Sequence, residues 1–272
     1  MYNHCKSYIY DPKVIAIALM MMLGVAHALA KPKTDSPGKP RIALLGDSMT
    51  WIGGDSCQNA TGWSHILKES GIARAIDVYA RSGATWTNTK STRFNPSHYT
   101  ELLHDDNVIY NQAIRLIERA DSSDASPDLI ILFAGANDAW FASKRPGMFD
   151  NAKTLNDNPT IRQPNLTTSL AGSIRLVGYM LRERFPEATL LFVAPLQMSK
   201  TDASSIHRVA DIIEETASEI GYKTLRADKE TGITHKQEKK HPKYTYDGVH
   251  SNPAGAKIIG DYIIRHIQSP KN

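Results

Sequence analysis

Short apolar runs alternate with amphipathic stretches along most of the chain. Four runs are continuous enough to form buried strands, and a weaker fifth run covers residues 222–225. Because strands that alternate with helices usually form a parallel sheet covered on both faces, this pattern predicts an α/β fold. The four stronger runs are residues 42–45, 76–80, 129–134 and 190–194.

Five further stretches place apolar residues at spacings of three and four, which predicts helices. The last of them begins with Pro253, which suits the first position of a helix, and either Ser251 or Asn252 can cap it. Two long stretches, residues 86–106 and 140–164, follow predicted strands and fit neither pattern, so we expect them to form walls or lids of a substrate cleft. The five predicted helices are residues 63–70, 108–120, 166–185, 203–220 and 253–267.

The first 30 residues have the pattern of a secretory signal peptide. Lys6 and Lys13 supply a positive start before an apolar stretch, residues 14–25, that is too short to span a bilayer comfortably. The stretch runs into Ala28-Leu29-Ala30, a small-x-small sequence typical of a cleavage site. We therefore expect cleavage after Ala30, secreted or periplasmic localisation, and no stable membrane insertion afterwards. An uncleaved membrane anchor is the alternative.

Cleavage there would leave 242 of the 272 residues, a length that suits one α/β domain. Residues 31–40 are rich in Pro, Lys, Ser and Gly, which predicts a flexible leader, and the domain is expected over residues 41–272. The mature chain would carry 30 basic and 27 acidic residues, a formal charge of +3. That charge is too small to predict binding to nucleic acid or to an anionic membrane.

Ligands of an open parallel sheet bind outside the carboxyl ends of its strands, so the residues that follow each apolar run are the informative ones. Ser48 follows the first run, Gly83 the second and Asn137 the third. Asp247 and His250 come just before the last predicted helix. Each of these residues alone has an ordinary explanation as a turn, a helix cap or a surface group.

Together the same residues supply the groups that acyl transfer requires. His250 can take the proton of the Ser48 hydroxyl, which is a poor nucleophile until a base acts on it. Asp247 can hold the other ring nitrogen of His250 and stabilise the imidazolium. The N–H groups of Ser48 and Gly83 and the Asn137 amide can donate to a tetrahedral oxyanion. We therefore predict a Ser48, His250 and Asp247 triad with this oxyanion hole, and no metal or cofactor.

In four blocks the chain resembles the SGNH hydrolase superfamily, also called the GDSL esterases and lipases, over residues 41–267. The resemblance implies a three-layer, flavodoxin-like α/β/α fold with about five parallel strands, and a Ser-His-Asp triad with a three-donor oxyanion hole. One departure is Met49, where the family motif has Leu, a volume-conserving exchange. The four blocks are Gly46-Asp47-Ser48, Gly83, Gly135-Ala136-Asn137-Asp138 and Asp247-Gly248-Val249-His250.

Four other residues could be mistaken for catalytic groups. Cys57 is the single cysteine after residue 30, and we expect a small, half-buried thiol that forms no internal disulfide. His235 and His241 have no Asp three residues before them, and their Lys-rich surroundings predict a solvated loop. Asp138 follows the proposed oxyanion Asn, and we expect it to orient its loop through hydrogen bonds. The G-x-S-x-G, H-E-x-x-H and G-x-G-x-x-G motifs do not occur.

The substrate is indicated only indirectly. Trp51, Trp86 and Trp140 each lie close to one of the four blocks, where an aromatic ring can bind a sugar or line an acyl pocket, although simple packing of the loops is the alternative. We expect a small-molecule or oligosaccharide ester as substrate, hydrolysis of short-chain esters, and removal of acetyl groups from carbohydrate as the specific hypothesis. Lysophospholipase or thioesterase activity, acyl transfer to a sugar, and a non-catalytic carbohydrate-binding module on this fold are the alternatives.

Overall fold

The computed structural model describes residues 38–88, 107–123, 125–150 and 168–269. The chain separates into the units Met1–Gly38 and Lys39–Asn272, and the elements named below belong to the second. The expected signal peptide lies outside the described residues, as do residues 31–37 of the expected leader. Among the helices of the described ranges, none combines the length and the apolar character needed to cross a membrane.

Parallel strands form a single five-stranded sheet within the described residues. The strands are β1 (Arg41–Gly46), β2 (Ala75–Val78), β3 (Leu129–Phe133), β4 (Thr189–Val193) and β5 (Lys223–Leu225). Their order across the sheet is β2-β1-β3-β4-β5. The α/β class and the five parallel strands predicted from the apolar runs are thus confirmed.

Both faces of the sheet are buried, which explains the continuous apolar runs. Successive side chains of a strand point to opposite faces. In β1, Ala43 and Leu45 belong to one core cluster, whereas Ile42 and Leu44 belong to a second.

Helices cover the two faces and complete three layers. The helices are α1 (Ser48–Trp51), α2 (Trp63–Glu69), α3 (Ile109–Ser122), α4 (Ala136–Trp140), α5 (Leu170–Arg184), α6 (Ala203–Glu219), α7 (Ala227–Glu230), α8 (His235–Lys240) and α9 (Pro253–Gln268). A short 3-10 helix covers Pro146–Phe149. Apolar side chains of α3, α5 and α6 join the first core cluster, and those of α2 and α9 join the second. This arrangement matches the α/β/α layering that the resemblance implies.

The start of α9 resolves a choice that the sequence left open. Asn252 is the cap, since its side chain accepts a hydrogen bond from the Gly255 N–H at 3.0 Å, and Pro253 takes the first helical position. The Ser251 hydroxyl instead donates to the carbonyl of Thr61. This bond of Ser251 places the chain that precedes α9 against the segment that leads into α2.

The shortest elements differ from the expectations. The region around His235 and His241, expected as a solvated loop, contains α8, and the Thr234 side chain accepts from the Gln237 N–H at its start. Helices of one or two turns are too short to show a periodic pattern and depend on caps and tertiary contacts. Parts of the two long stretches, residues 89–106 and 151–164, lie outside the described residues.

Candidate active site

Ser48 lies where the first strand turns into a helix. Strand β1 ends at Gly46, and Asp47 caps α1 by accepting a hydrogen bond from the Met49 N–H at 3.0 Å. Ser48 is the first residue of that helix and is 8% exposed. A strand-to-helix turn therefore fixes the backbone of the candidate nucleophile at the carboxyl end of the sheet.

Asp247 and His250 form a closely held pair in the loop before α9. The imidazole Nδ1 lies 2.6 Å from a carboxylate oxygen of Asp247, and the other oxygen accepts from the N–H groups of Val249 and His250 at 2.9 and 2.7 Å. Gly248 makes the turn between them with φ +86°, a conformation that favours glycine. The contact between Asp247 and His250 is therefore set by a turn of only four residues.

The charge state of the pair is the one that a catalytic base requires, with Asp247 orienting the ring of His250. Partial burial favours the neutral form of Asp247, but the hydrogen bonds from His250 and from the loop N–H groups outweigh it and lower its pKa. An ionised Asp247 accepts a proton-bearing Nδ1, so the Nε2 atom of a neutral His250 carries the lone pair. This tautomer is the one that a general base requires.

Two further candidates, Gly83 and Asn137, follow the two strands that flank β1, which are β2 and β3. The Arg81 N–H donates to the Gly46 carbonyl at 3.1 Å, which brings the segment after β2 alongside the end of β1. Gly83 has φ +78°, and Asn137 lies in the first turn of α4. The Asn137 amide donates one N–H to the Ala84 carbonyl at 3.0 Å, so its second N–H remains for a ligand.

Asp47 connects the first and third sequence blocks, a role that its motif alone does not indicate. Its carboxyl group is fully buried and accepts from the Met49 N–H and, more weakly, from the Ala136 N–H at 3.3 Å. Burial raises the pKa of Asp47 to about 7, despite these hydrogen bonds and the attraction of His250. The Ser251 hydroxyl, next to His250 in the chain, donates to the Thr61 carbonyl, so the end of the Asp247–His250 loop contacts the segment between α1 and α2.

Asp138 has the structural role expected of it. Its buried carboxylate accepts from the N–H groups of Trp86 and Thr87 at 2.9 and 3.0 Å and from the Thr87 hydroxyl at 2.8 Å. Burial raises the pKa of Asp138. The side chain ties the segment after β2 to α4, and so it holds the residues that follow Gly83 against the helix that carries Asn137.

A third buried carboxyl group, that of Glu238, supports the chain just before Asp247. It accepts hydrogen bonds from the N–H groups of Lys243, Tyr244 and Thr245, and the Thr245 hydroxyl donates to it at 2.6 Å. Glu238 lies in α8 and is fully buried. The segment expected to be a solvated loop thus positions the Asp247–His250 loop.

The rival candidates for base and nucleophile are engaged elsewhere. The His235 ring contacts the carbonyl oxygens of Met198 and Thr201 at 2.7 and 3.0 Å, which anchors it to the segment after β4. Cys57, expected to be half-buried, is only 1% exposed, and burial raises the pKa of its thiol. A thiol in such surroundings is unreactive.

The three tryptophans differ in their environments. Trp86 is fully buried and stacks on Phe192 with ring centroids 6.0 Å apart, so the expectation that it contacts substrate is corrected, because its ring lies in the core. Trp51 ends α1 and is half-buried, whereas Trp140 ends α4 and is 50% exposed. Tyr246, which belongs to none of the four blocks, is 60% exposed and stacks on His250 at 5.8 Å.

The described residues also bear on metal binding. Within residues 38–88, 107–123, 125–150 and 168–269, no three His, Cys, Asp or Glu side chains are grouped as a metal site requires.

Comparison with known proteins identifies the family. The model of the GDSL-like Lipase/Acylhydrolase family matches residues 44–258, which include Ser48, Gly83, Asn137, Asp247 and His250. The chain belongs to this family. As a GDSL-like lipase/acylhydrolase, and so a member of the SGNH hydrolase superfamily, the protein is an ester hydrolase. Among curated proteins, none matches the sequence.

Solved structures of this GDSL-like fold resemble the protein over most of its length. A protein from Lactobacillus plantarum is 19% identical, with a TM-score of 0.57 and coverage of 87% of this chain and 100% of that chain. The lipase/acylhydrolase from Enterococcus faecalis is 17% identical, with a TM-score of 0.51 and coverage of 85% and 98%. A GDSL-like lipase from Bacteroides thetaiotaomicron is 18% identical, with a TM-score of 0.50 and coverage of 84% and 87%. At these identities the likeness concerns the fold alone.

Proposed function

We propose that the protein is an exported serine esterase that hydrolyses short-chain esters through an acyl-enzyme on Ser48. The observation that carries the proposal is the 2.6 Å contact between His250 Nδ1 and the Asp247 carboxylate, in the loop that precedes α9. This contact leaves Nε2 as the basic nitrogen, and a positioned base is what a serine hydroxyl needs.

In the first half of the reaction, the Ser48 hydroxyl oxygen attacks the ester carbonyl carbon while His250 Nε2 takes its proton. The carbonyl oxygen becomes an oxyanion, and the N–H groups of Ser48 and Gly83 and the free N–H of the Asn137 amide donate to it. When the tetrahedral intermediate collapses, the imidazolium of His250 gives its proton to the departing alcohol oxygen. Asp247 stays ionised and stabilises the imidazolium.

In the second half, a water molecule replaces the alcohol. His250 takes a proton from the water, whose oxygen attacks the acyl carbonyl, and the same donors hold the second oxyanion. The collapse of this intermediate returns the proton to Ser48 and releases the carboxylic acid. Transfer to a sugar hydroxyl instead of water follows the same steps, so product analysis with an added sugar distinguishes the two reactions.

For the substrate, we favour acetyl esters of carbohydrate. The mild charge of the mature chain and the absence of a long apolar stretch after residue 30 support a soluble substrate rather than a bilayer.

The proposal of export rests on the pattern of the first 30 residues, with cleavage after Ala30. Mass spectrometry of the secreted or periplasmic protein tests this, and the expected result is a new N-terminus at Lys31.

The names of the relatives favour a second candidate, hydrolysis of esters with longer acyl chains. The family is described as lipase/acylhydrolase, and the names of two of the compared proteins contain the word lipase. Rates on aryl esters from acetyl to decanoyl, measured beside acetylated xylo-oligosaccharides, separate the candidates. A preference for acyl groups of eight or more carbons would reject the acetylesterase proposal.

The mechanism is tested by Ser48→Ala. We expect kcat to fall on the order of 10⁴–10⁶-fold, because removal of a serine nucleophile disables the whole triad. Ser218→Ala, which changes an exposed serine of α6, is the matched control and should retain the parent rate. A Ser48→Ala protein that is folded by circular dichroism and keeps the parent rate would refute the acyl-enzyme mechanism.

A further inference from the structure

Two large apolar side chains stand out by their exposure among the described residues, Trp140 at 50% and Tyr246 at 60%. Both adjoin candidate catalytic residues. Trp140 lies three residues after Asn137 in α4, and Tyr246 stacks on the His250 ring. Exposed aromatic side chains that cluster at a cleft indicate a binding surface more than a packing role.

A cavity of about 270 Å³ lies beside Trp140. One wall comes from the end of α4 and the residues after it, and the other from the segment that leads into α6. Most of its side chains are polar and include hydroxyl, ammonium and carboxylate groups. Its lining includes Trp140, Ser143, Lys200, Thr201, Asp202 and Ser205.

Both walls of this cavity continue into the candidate active site. Residues three apart on a helix lie on the same face with Cβ atoms about 5–6 Å apart, which places Trp140 beside Asn137. On the other wall, the Ser199 N–H donates to the Gly248 carbonyl at 2.8 Å, directly within the Asp247–His250 loop. One wall of the cavity therefore belongs to the helix that carries Asn137, and the other follows Ser199, which is bonded to the Asp247–His250 loop.

The polar lining argues for one class of occupant. An acyl chain placed there offers no partner to the Thr201 hydroxyl or the Lys200 ammonium, and a polar group buried without a partner costs roughly 1–3 kcal/mol. Thr201 is 6% exposed, and its hydroxyl has no partner within the described residues. A ring that carries several hydroxyl groups would supply partners for these walls, while its apolar face would lie against Trp140.

The size of the cavity agrees with a single ring. Sites for drug-sized ligands occupy about 300–1,000 Å³, so a cavity of about 270 Å³ accommodates one sugar ring rather than an extended oligosaccharide. Further sugar units of an oligosaccharide would extend into solvent.

We propose that this cavity, with Trp140 as its platform, is the subsite for the sugar ring whose hydroxyl carries the acyl group. The inference rests on the proposed esterase function and adds the alcohol side of the substrate to it. Trp140 and Lys200 are then specificity-determining residues, which act on sugar esters and not on esters of small alcohols.

The experiment compares acetylated methyl β-xylobioside with ethyl acetate, whose alcohol is too small to reach the subsite. Trp140→Ala should raise KM for the sugar ester about five- to tenfold, the loss expected for one aromatic contact, and change kcat/KM for ethyl acetate less than about twofold. Trp140→Phe should retain most of the affinity for the sugar ester. Lys200→Met, which keeps the aliphatic stem, should weaken binding of the sugar ester selectively, whereas Lys229→Met, at an exposed side chain of α7, should change the kinetics of neither substrate.

A second measurement does not depend on catalysis. Calorimetric titration of Ser48→Ala protein with the acetylated xylobioside should detect binding, and the Ser48→Ala/Trp140→Ala double variant should bind about five- to tenfold more weakly. Equal losses on both substrates in Trp140→Ala, or an unchanged KM for the sugar ester, would overturn the subsite.

The outcomes separate the subsite from the proposed function. If the parent hydrolyses ethyl acetate with a requirement for Ser48 but gains nothing from the sugar, the subsite fails and the esterase mechanism stands. If Ser48→Ala keeps the parent rate while binding still depends on Trp140, the mechanism fails and the subsite stands.

Discussion

Replacement of Asp47 by asparagine should remove a pH dependence of stability that the parent protein shows between pH 5 and pH 8. The Asp47 carboxyl has a pKa of about 7 in the folded protein, raised from the ordinary value of 3.8 that applies to the unfolded chain. Between these values the folded protein holds a proton that unfolding releases. A rise in pH therefore favours the unfolded state, and this contribution to stability falls until pH 7.

The magnitude follows from the pKa difference. Each pH unit in this range changes the free energy of unfolding by about 1.4 kcal/mol for one proton released. From pH 5 to the folded pKa of about 7 there are two such units, so Asp47 should cost the parent about 3 kcal/mol between pH 5 and pH 8. The amide introduced by Asp47→Asn does not titrate. It leaves one of the two N–H donors, Met49 or Ala136, without an acceptor, a cost of about 1–3 kcal/mol that does not depend on pH.

The assay is urea unfolding of parent and Asp47→Asn at pH 5, 6, 7 and 8. The stability of the variant minus that of the parent should increase by about 3 kcal/mol from pH 5 to pH 8. Asp138, the neighbouring buried carboxyl, is present in both proteins, so most of its own titration cancels. Asp121→Asn, which removes an exposed carboxylate paired with Arg184, is the control and should show no such slope.

A flat difference across this range would refute the reasoning, since it would mean that Asp47 is ionised in the folded protein at pH 5. A difference that decreases with pH would also refute it, because a carboxyl group with a pKa of 3.8 in the unfolded chain cannot make the parent more stable as the pH rises from 5 to 8.

Two further predictions concern the core and the loop before Asp247. Trp86→Ala should lower the free energy of unfolding by about 3–5 kcal/mol, because it empties a fully buried site against Phe192, whereas Trp140→Ala should lower it by less than about 1 kcal/mol. Thermal and urea unfolding of both variants tests this, and equal losses would contradict the placement of Trp86 in the core. Glu238→Gln should lower the free energy of unfolding by about 1–3 kcal/mol and lower kcat, because an amide cannot accept from all the donors around Glu238. The control Glu187→Gln, at an exposed position, should keep the stability and the kcat of the parent. A Glu238→Gln variant with parent stability and kcat would show that Glu238 does not position the Asp247–His250 loop.

Features that depend on short stretches of chain could be predicted from the sequence. The apolar run from Ile42 to Leu45 predicts a buried strand because both faces of a covered parallel sheet exclude water. Pro253 and its neighbours predict the start of a helix, since capping involves residues within one turn. The pairing of Asp247 with His250 is of the same kind, because only three residues separate them and one glycine turn sets their distance.

The contacts around the candidate site are long-range and were decided by the fold. Asp47 reaches the Ala136 N–H across 89 residues, and Asp138 reaches the Trp86 N–H across 52. Glu238 was expected in a solvated loop, because its Lys-rich surroundings do not show that the carboxylate turns inward to the N–H groups of the following segment.

The tryptophans show most clearly the difference between what the sequence predicts and what the fold decides. From the sequence, Trp86 and Trp140 are equivalent, since each follows a strand and lies a few residues after a proposed oxyanion donor. In the fold, Trp86 is buried against Phe192, whereas Trp140 ends a short helix beside an open cavity. The sequence by itself determined the strands, the longer helices and the residue types at the strand ends, because these follow from local pattern and motif. Only the tertiary structure decided which ring is in the core and which can meet a ligand, because burial depends on contacts between residues distant in the chain.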